Sequence, residues 1–283
     1  MLKKALLLGG RSGLLGQALN LALLAAGWEV FILDREITTD RDLLPSTLNV
    51  FKPDWVFNTI AYTQVDMAEE DQDNAFNINR DLAGEIGLLA HERQCGLVHY
   101  STDFVFDGQG MHPYISTDQA APMSVYGQSK LAGEEALTSL GLKKFCIIRT
   151  AWLFGPFRPN FVLAILNKGR ETGALQVVND QTGSPTYTID LARHSLELIE
   201  AGGQGLFHLV NSGQATWFEL AGKALRLAGL DCRIEPIPSS AYPQKAVRPK
   251  YSVLDTQEFC RLSGNCPRHW TEALAEYVQS LRF

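Results

Sequence analysis

Tyr126 and Lys130 stand four residues apart in Tyr126-Gly127-Gln128-Ser129-Lys130, at the head of a stretch of helical spacing that ends near Gly141. Residues i and i+4 share a helix face, so this phenol and this ammonium can point into the same space. Upstream, the apolar run Gly96-Leu97-Val98-His99-Tyr100 reads as a strand, and Ser101-Thr102 puts a hydroxyl at its end. The three groups suit proton delivery to a carbonyl oxygen. The phenol is the acid, the cation lowers its pKa from about 10, and the threonine holds the oxygen. Each also has a plainer use. Thr102 could close a strand end, Tyr126 could be a half-buried first-turn residue, and Lys130 could be a solvated charge.

The amino-terminal sequence supplies the context that decides between these uses. Lys4 to Gly9 reads as a buried strand, and Gln17 to Ala26 as a helix closed by Gly27. Between them lies Gly10-Arg11-Ser12-Gly13-Leu14-Leu15-Gly16. Glycines at 10, 13 and 16 let the chain turn tightly and let a pyrophosphate approach backbone N–H groups at the helix N-terminus. The next strand, Trp28 to Leu33, ends at Asp34, where an acid can meet the adenosine ribose. Arg35 and Arg11 could meet a 2′-phosphate instead, or be solvated surface charges, so both NADH and NADPH fit. The plainer alternative is a glycine-rich strand–helix turn with no ligand.

The elements that must position these groups alternate regularly. A helix near Asp42 to Phe51 precedes the strand Trp55 to Asn58, and a long helical pattern from Glu69 to Gln94 is broken near Asn79. Lys144 to Arg149 is a further strand. Nearly all-apolar strands alternating with helices predict an α/β fold, a doubly wound parallel sheet of Rossmann type. Residues 1–150 form the expected dinucleotide-binding domain, completed by parts of 175–225. Residues 151–283 are expected to form mainly a smaller, interleaved C-terminal substrate lobe, richer in proline. Strand-like runs (Leu175 to Val178, Leu206 to Val210) alternate there with helical ones (Thr188 to Ala201, Trp217 to Ala228, Thr271 to Leu281).

Composition excludes several classes. With 46% hydrophobic and 20% charged residues over 283 positions, the chain has an ordinary globular balance. A formal net charge of -6 disfavours a nucleic-acid surface, though not a local basic pocket for an anion. The start, Met1 to Gly10, superficially resembles a signal peptide, but its apolar core is short and runs into the glycines. No stretch approaches the roughly 18 apolar residues of a membrane helix. Cys95, Cys146, Cys232, Cys260 and Cys266 are odd in number and lack Cys-x-x-Cys spacing, so reduced thiols are expected. His91, His99, His112, His194, His208 and His269 show no metal-ligand spacing and read as structural.

The glycine spacing, with Thr102, Tyr126 and Lys130, resembles the extended short-chain dehydrogenases/reductases. Longer blocks narrow this to the dTDP-4-dehydrorhamnose reductases, over essentially the whole chain. They are Ala61 to Glu69, Tyr100 to Gly108, Val125 to Glu134, Arg149 to Phe154, Asn179 to Thr186, Ala241-Tyr242-Pro243 and Arg248 to Asp255. The resemblance implies reduction of the C4 keto group of dTDP-4-dehydro-β-L-rhamnose by NADPH or NADH. Thr102, Tyr126 and Lys130 would be catalytic, with Lys130 also on the nicotinamide ribose. The third-strand end puts Ala61, Tyr62 and Thr63 along the cofactor, with Tyr100. Asp103 and Trp152 match substrate-contacting positions. Arg248 is left between the substrate diphosphate and a structural salt bridge. A homodimer is further implied, and the expected reduced thiols point to the cytoplasm.

The sequence also departs from the family. Phe104, Thr59-Ile60 and Tyr251 stand where tyrosine, two alanines and asparagine are common, and the segment after Asp34 looks short. Some members hold a metal between subunits through glutamates. Gln17 and Ala18 follow the glycine loop here, and no metal is expected. Two other readings stay open: another nucleotide-sugar epimerase or dehydratase, and a non-catalytic dinucleotide-binding subunit resembling the methionine adenosyltransferase beta subunit. Dehydratases carry two acids after the catalytic threonine. Asp103-Phe104 favours simple reduction.

Overall fold

Lys4-Ala5-Leu6-Leu7-Leu8 is apolar on both faces of its pleat beyond Lys4, so it is stable only where both faces are covered. The computed structural model, which describes residues 2–242 and 244–281, places it inside a six-stranded sheet. The spatial order is Gly205–His208, Phe145–Thr150, Gly96–Thr102, Trp55–Asn58, Lys4–Leu8, Glu29–Leu33. Every adjacent pair is parallel. From Lys4–Leu8 the chain steps to Glu29–Leu33 on one side, then lays Trp55–Asn58 on the other. That reversal opens a crevice at the carboxyl ends of the strands.

Alternate residues of each strand feed two apolar layers. Ala5, Leu7, Phe57 and Val98 pack with Leu15, Leu19, Leu191 and Leu196 of the helices Leu14–Ala25 and Thr188–Glu200. Leu6, Leu8, Val56 and Leu97 pack with Leu48, Ile86 and Leu137 of the helices Leu43–Phe51, Ala83–Glu92 and Val125–Thr138. This is the doubly wound α/β arrangement. Its last strand and the helix Thr188–Glu200 come from the second half of the chain. The remainder of that half surrounds a separate core of Phe154, Leu166, Leu220, Leu225, Trp270 and Tyr277.

Three elements differ from the sequence reading. The first helix begins at Leu14, not Gln17, with Gly16 already inside its first turn. A Cβ on Gly16 would stand 2.1 Å from the Gly9 carbonyl oxygen, so only glycine lets helix and strand meet this closely. The long helix near Asn79 is not merely broken: Asn77–Leu82 is a π turn between Gln72–Phe76 and Ala83–Glu92. Gly133 of the neighbouring helix presses on it, since a Cβ there would lie 2.1 Å from Asn79 O. The short segment after Asp34 holds a 3₁₀ turn, Arg35–Thr38, before the helix Leu43–Phe51. Glu29–Leu33 therefore ends the sheet, with Phe31 against Phe51 at 5.5 Å.

The expectation of five reduced thiols is corrected. Cys260 and Cys266 form a disulfide with Cα atoms 4.8 Å apart, and Cys95, Cys146 and Cys232 are free. The helix Gln257–Ser263 ends on Gly264 at φ 74°, and this left-handed turn brings the two cysteines together. A count of cysteines carries no information about such a turn. Among the described residues, no helix is long and apolar enough to cross a membrane. Met1 of the signal-like start and Pro243 of the Ala241-Tyr242-Pro243 block lie outside the described residues.

Candidate active site

At the strand reversal lies a cleft of about 640 Å³. Gly9, Ser12, Gly13 and the first helical turn form one wall, with Asp34 and Arg35 at its outer end. Thr59, Ile60, Ala61, Thr63 and Gln64 form the opposite wall. Tyr100, Ser101, Tyr126 and Lys130 close the inner end. The glycine loop and the Tyr/Lys pair, more than a hundred residues apart in sequence, thus share one cleft.

The glycine loop is held from below. Gly9, not Gly10, lines the cleft, at φ 88° and with its N–H on Leu33 O at 2.8 Å. Gly10 instead packs on Leu7 and Ile32, where a Cβ would come within 2.7 and 2.9 Å. Asp34 accepts from the Arg11 N–H at 3.1 Å and from Ser12 Oγ at 3.4 Å. The Arg11 guanidinium turns to Glu36 and Ile32 O, both at 3.1 Å, and does not line the cleft. Arg35 does, reaching Ala61 O at 3.4 Å. Arg158, which the sequence reading missed, crosses from the second half to Ser12 O at 2.8 Å.

The residues present fit a dinucleotide. Gly13 caps the helix Leu14–Ala25 without a side-chain bond, and no acid occupies the first turn. A Cβ on Gly13 would sit 2.7 Å from Gly9 O. Unpaired N–H groups and the positive helix end suit a pyrophosphate.

At the inner end, Ser124 caps the helix Val125–Thr138 by accepting the Gly127 N–H at 3.2 Å. A Cβ on Gly127 would stand 2.2 Å from Phe104 O, so glycine lets the helix start press on the turn after Thr102. This contact sets the Tyr126 phenol near Thr102, which does not itself line the cleft. Phe104 packs edge-on against Tyr126 at 5.6 Å. Asn79 fixes the facing loop, accepting the Tyr62 N–H at 2.9 Å and donating to Tyr62 O and Ser129 Oγ at 3.1 and 2.9 Å. The Tyr62 ring itself points away to Asp71 at 3.0 Å and does not line the cleft.

Lys130 and Glu134 on the helix face His99 and Ser101 on the strand. Four helical residues rise about 6 Å and two strand residues about 6.6 Å, so the two pairs stay level. Lys130 Nζ donates to Tyr100 O at 2.6 Å and lies 3.3 Å from His99 Nε2. Glu134 accepts from Ser101 Oγ and from Arg149 at 2.7 Å. Burial brings the Lys130 amine down to about 8, with Glu134 opposing. Burial pushes the Tyr126 phenol up to about 12; the Thr102 hydrogen bond opposes this and the Asp103 charge adds to it. The expected lowering of the phenol by Lys130 is therefore not what this structure holds. Loss of water raises it, and the Asp103 charge acts in the same direction.

Asp103 is buried, with Thr102 Oγ1 donating to it at 3.1 Å and Ser252 Oγ at 2.6 Å. Trp152 adopts φ 46°, a left-handed turn rare for a bulky residue, and lays its ring on Gly183. It stacks on Trp217 at 3.5 Å, and Trp217 Nε1 donates to Gln181 Oε1 at 3.2 Å. Arg248 does not face the cleft. It grips both oxygens of Asp66 at 3.0 and 2.8 Å, so the salt-bridge alternative is the one present. Ser252, Gln181 and Trp217 were missed as site neighbours. The first two sit inside family-like blocks, but a serine or glutamine in a loop carries no periodicity to mark its role.

Residues 4–283 match the family model described as RmlD substrate binding domain. The chain belongs to this family. The RmlD-type chain is similar to the spore coat polysaccharide biosynthesis protein SpsK of Bacillus subtilis (strain 168), at 38% identity over 96% of each chain. It is 35% identical to dTDP-4-dehydrorhamnose reductase of Escherichia coli (strain K12), over 90% of each. Its structure resembles that of dTDP-4-dehydrorhamnose reductase from Bacillus anthracis str. Ames in complex with NADP. The TM-score is 0.94 at 31% identity, covering 99% of this chain and all of that one. The fold is thus that of the Rossmann-type extended short-chain enzymes.

Proposed function

We propose that this chain is an NAD(P)H-dependent nucleotide-sugar reductase that converts the C4 keto group of dTDP-4-dehydro-β-L-rhamnose to the hydroxyl of dTDP-L-rhamnose. The observation that carries the reading is the convergence of Tyr126 and Lys130 on the cleft formed by the glycine loop, with Thr102 at the end of the neighbouring strand. The relatives' names support the sugar, and the NADP complex of the Bacillus anthracis protein supports the cofactor.

The bound nicotinamide supplies a hydride. The chain supplies the rest. N–H groups of the first helical turn hold the pyrophosphate. Asp34 keeps lone pairs for ribose hydroxyls beside those used by Arg11 and Ser12, and Arg35 at the cleft edge accepts a 2′-phosphate. Tyr126, held protonated at neutral pH by its burial, stores the proton that goes to the new alkoxide. Thr102 orients that O–H, and Asp103 with Ser252 holds Thr102. Lys130 places positive charge at the same end of the cleft and favours the tyrosinate left behind. Trp152 and its stacked partner Trp217 present an aromatic surface to the sugar nucleotide.

The test is oxidation of NADPH and of NADH in the presence of dTDP-4-dehydro-6-deoxy-L-mannose. Turnover supports the reading; cofactor binding without turnover rejects this sugar. The reading includes a cytoplasmic homodimer, which light scattering and fractionation measure.

A further inference from the structure

His99 lies in the strand Gly96–Thr102 directly opposite Asn58, its registered partner in Trp55–Asn58. Both are sealed from solvent, at 1% and 2% exposure. The Asn58 amide has one orientation, because its Oδ1 accepts the Ile60 N–H at 3.1 Å. Its Nδ2 therefore faces His99 Nδ1, also at 3.1 Å. An amide nitrogen donates and does not accept, so Nδ1 is the accepting nitrogen and the network assigns the imidazole proton to Nε2. Nε2 stands 3.3 Å from Lys130 Nζ. Nζ in turn donates to Tyr100 O, which can only accept, at 2.6 Å. The Nε2–H thus aims at a nitrogen that can receive it only through the lone pair of an uncharged amine. An ammonium at this place sets two donors against each other.

We propose that His99, held in its Nε2–H form by Asn58, positions Lys130 and sets the pH at which that amine takes up its proton. Burial lowers the amine in general, and among its neighbours His99 adds a donor aimed at it. On the helix of Lys130, Glu134 favours the ammonium, but its carboxylate is shared with Arg149 and Ser101. Asn79 of the π turn and Ser129 of the Lys130 helix are neutral and bonded to each other. On the cleft side stand the protonated phenol of Tyr126 and the Thr102 hydroxyl, with Asp103 behind. Burial and the Lys130 charge both keep the imidazole neutral, so the pair carries one proton-exchanging group, the amine. A lysine in water, with a pKa of about 10.4, would stay charged throughout the neutral range. Burial brings the Lys130 amine down to about 8, much nearer neutrality. His99, which as an isolated residue in the sequence reads as structural, acts here through Lys130.

The catalytic consequence rests on the proposed reaction, but the ionic one is measurable without it. In the cofactor-free protein, nitrogen-15 NMR of histidine reads the His99 tautomer, and carbon-13 NMR at lysine Cε follows the Lys130 titration. The expected wild-type result is an Nε2–H imidazole and a Lys130 midpoint well below those of the surface lysines. His99→Gln lets an amide oxygen turn to the ammonium. Asn58→Asp lets His99 carry its proton on Nδ1 and accept from the ammonium through Nε2. Each should raise the Lys130 midpoint by about one pH unit, a tenfold gain in proton affinity. In turnover, the alkaline limb of the kcat–pH profile should move up by the same amount. An Nδ1–H tautomer in the wild-type protein overturns the proposal. So does a Lys130 midpoint unmoved in folded His99→Gln. Absence of wild-type turnover with the sugar would reject the reaction and leave both NMR outcomes to decide the His99 role.

Discussion

Ser252 Oγ donates to Asp103 Oδ2 at 2.6 Å, across 149 residues of sequence. The strand-end segment that carries Thr102 is thereby tied to a loop of the second half, which is itself anchored where Ser252 N–H meets Thr182 O at 2.8 Å. The proposed catalytic hydroxyl is positioned, through Asp103, by a residue from the second half of the chain.

Burying the Asp103 carboxylate has a stability cost that pH reveals. Burial pushes the Asp103 carboxyl up from 3.8 to about 6, against the pull of Ser252 and Thr102. Between these values the folded state binds the proton and the unfolded state does not. Stability from this group therefore falls as pH rises from about 4 to about 6, and is flat above. The penalty at pH 7 is about 3 kcal/mol. Asp103→Asn should be more stable than wild type in urea at pH 7, with the gain vanishing below about pH 4. Its turnover should drop, because Thr102 loses its charged anchor.

Tyr126→Phe removes the phenol oxygen near Thr102. Turnover should fall by about 10²–10⁴-fold, the usual worth of a positioned acid. NADPH affinity, measured by quenching of protein fluorescence, should stay within about twofold, since the pyrophosphate is held at the first helical turn, away from Tyr126. Near-normal turnover would remove Tyr126 from the acid role.

Gly183→Ala drives a methyl to 2.5 Å from the Trp152 indole. The ring must leave Trp217, whose plane is 4° from its own. The expected result is a rise in KM for the sugar nucleotide with cofactor affinity unchanged, accompanied by altered tryptophan fluorescence. An unchanged KM would take the aromatic surface out of substrate binding.

Asp66 is held down at about 2, chiefly by its hydrogen bonds from Arg248. Its contribution is present above about pH 4 and is lost as pH falls towards 2. With 40% of the Asp66 side chain exposed, the pair is worth about 1 kcal/mol or less. Asp66→Asn and Arg248→Leu should each destabilise by about that amount, and the double mutant by less than their sum. Additive losses would show that the two do not interact.

Much of the sheet was legible because apolar periodicity and glycine position are local properties. Lys4 to Gly9, Trp28 to Leu33 and Trp55 to Asn58 announce strands by composition, and the glycine triplet by spacing. The start of the first helix was misplaced because Gly16 looks like a turn residue until the Gly9 carbonyl is seen pressing on it. Arg11 and Tyr62 resembled cofactor contacts by position, yet Glu36 and Asp71 draw their side chains elsewhere. The disulfide depended on a left-handed glycine turn that no cysteine count encodes.

The sequence alone determined that a strand–glycine–helix unit and a Thr/Tyr/Lys set exist in one chain, because each is written in residues close together. Only the tertiary structure decided how those groups behave. The phenol stands high because burial and the Asp103 charge both raise it, the amine stands low because it is buried, and Asp103 is held by Ser252 from the far half of the chain. Ionisation depends on burial and on partners brought from distant segments, and both arise only when the chain closes on itself.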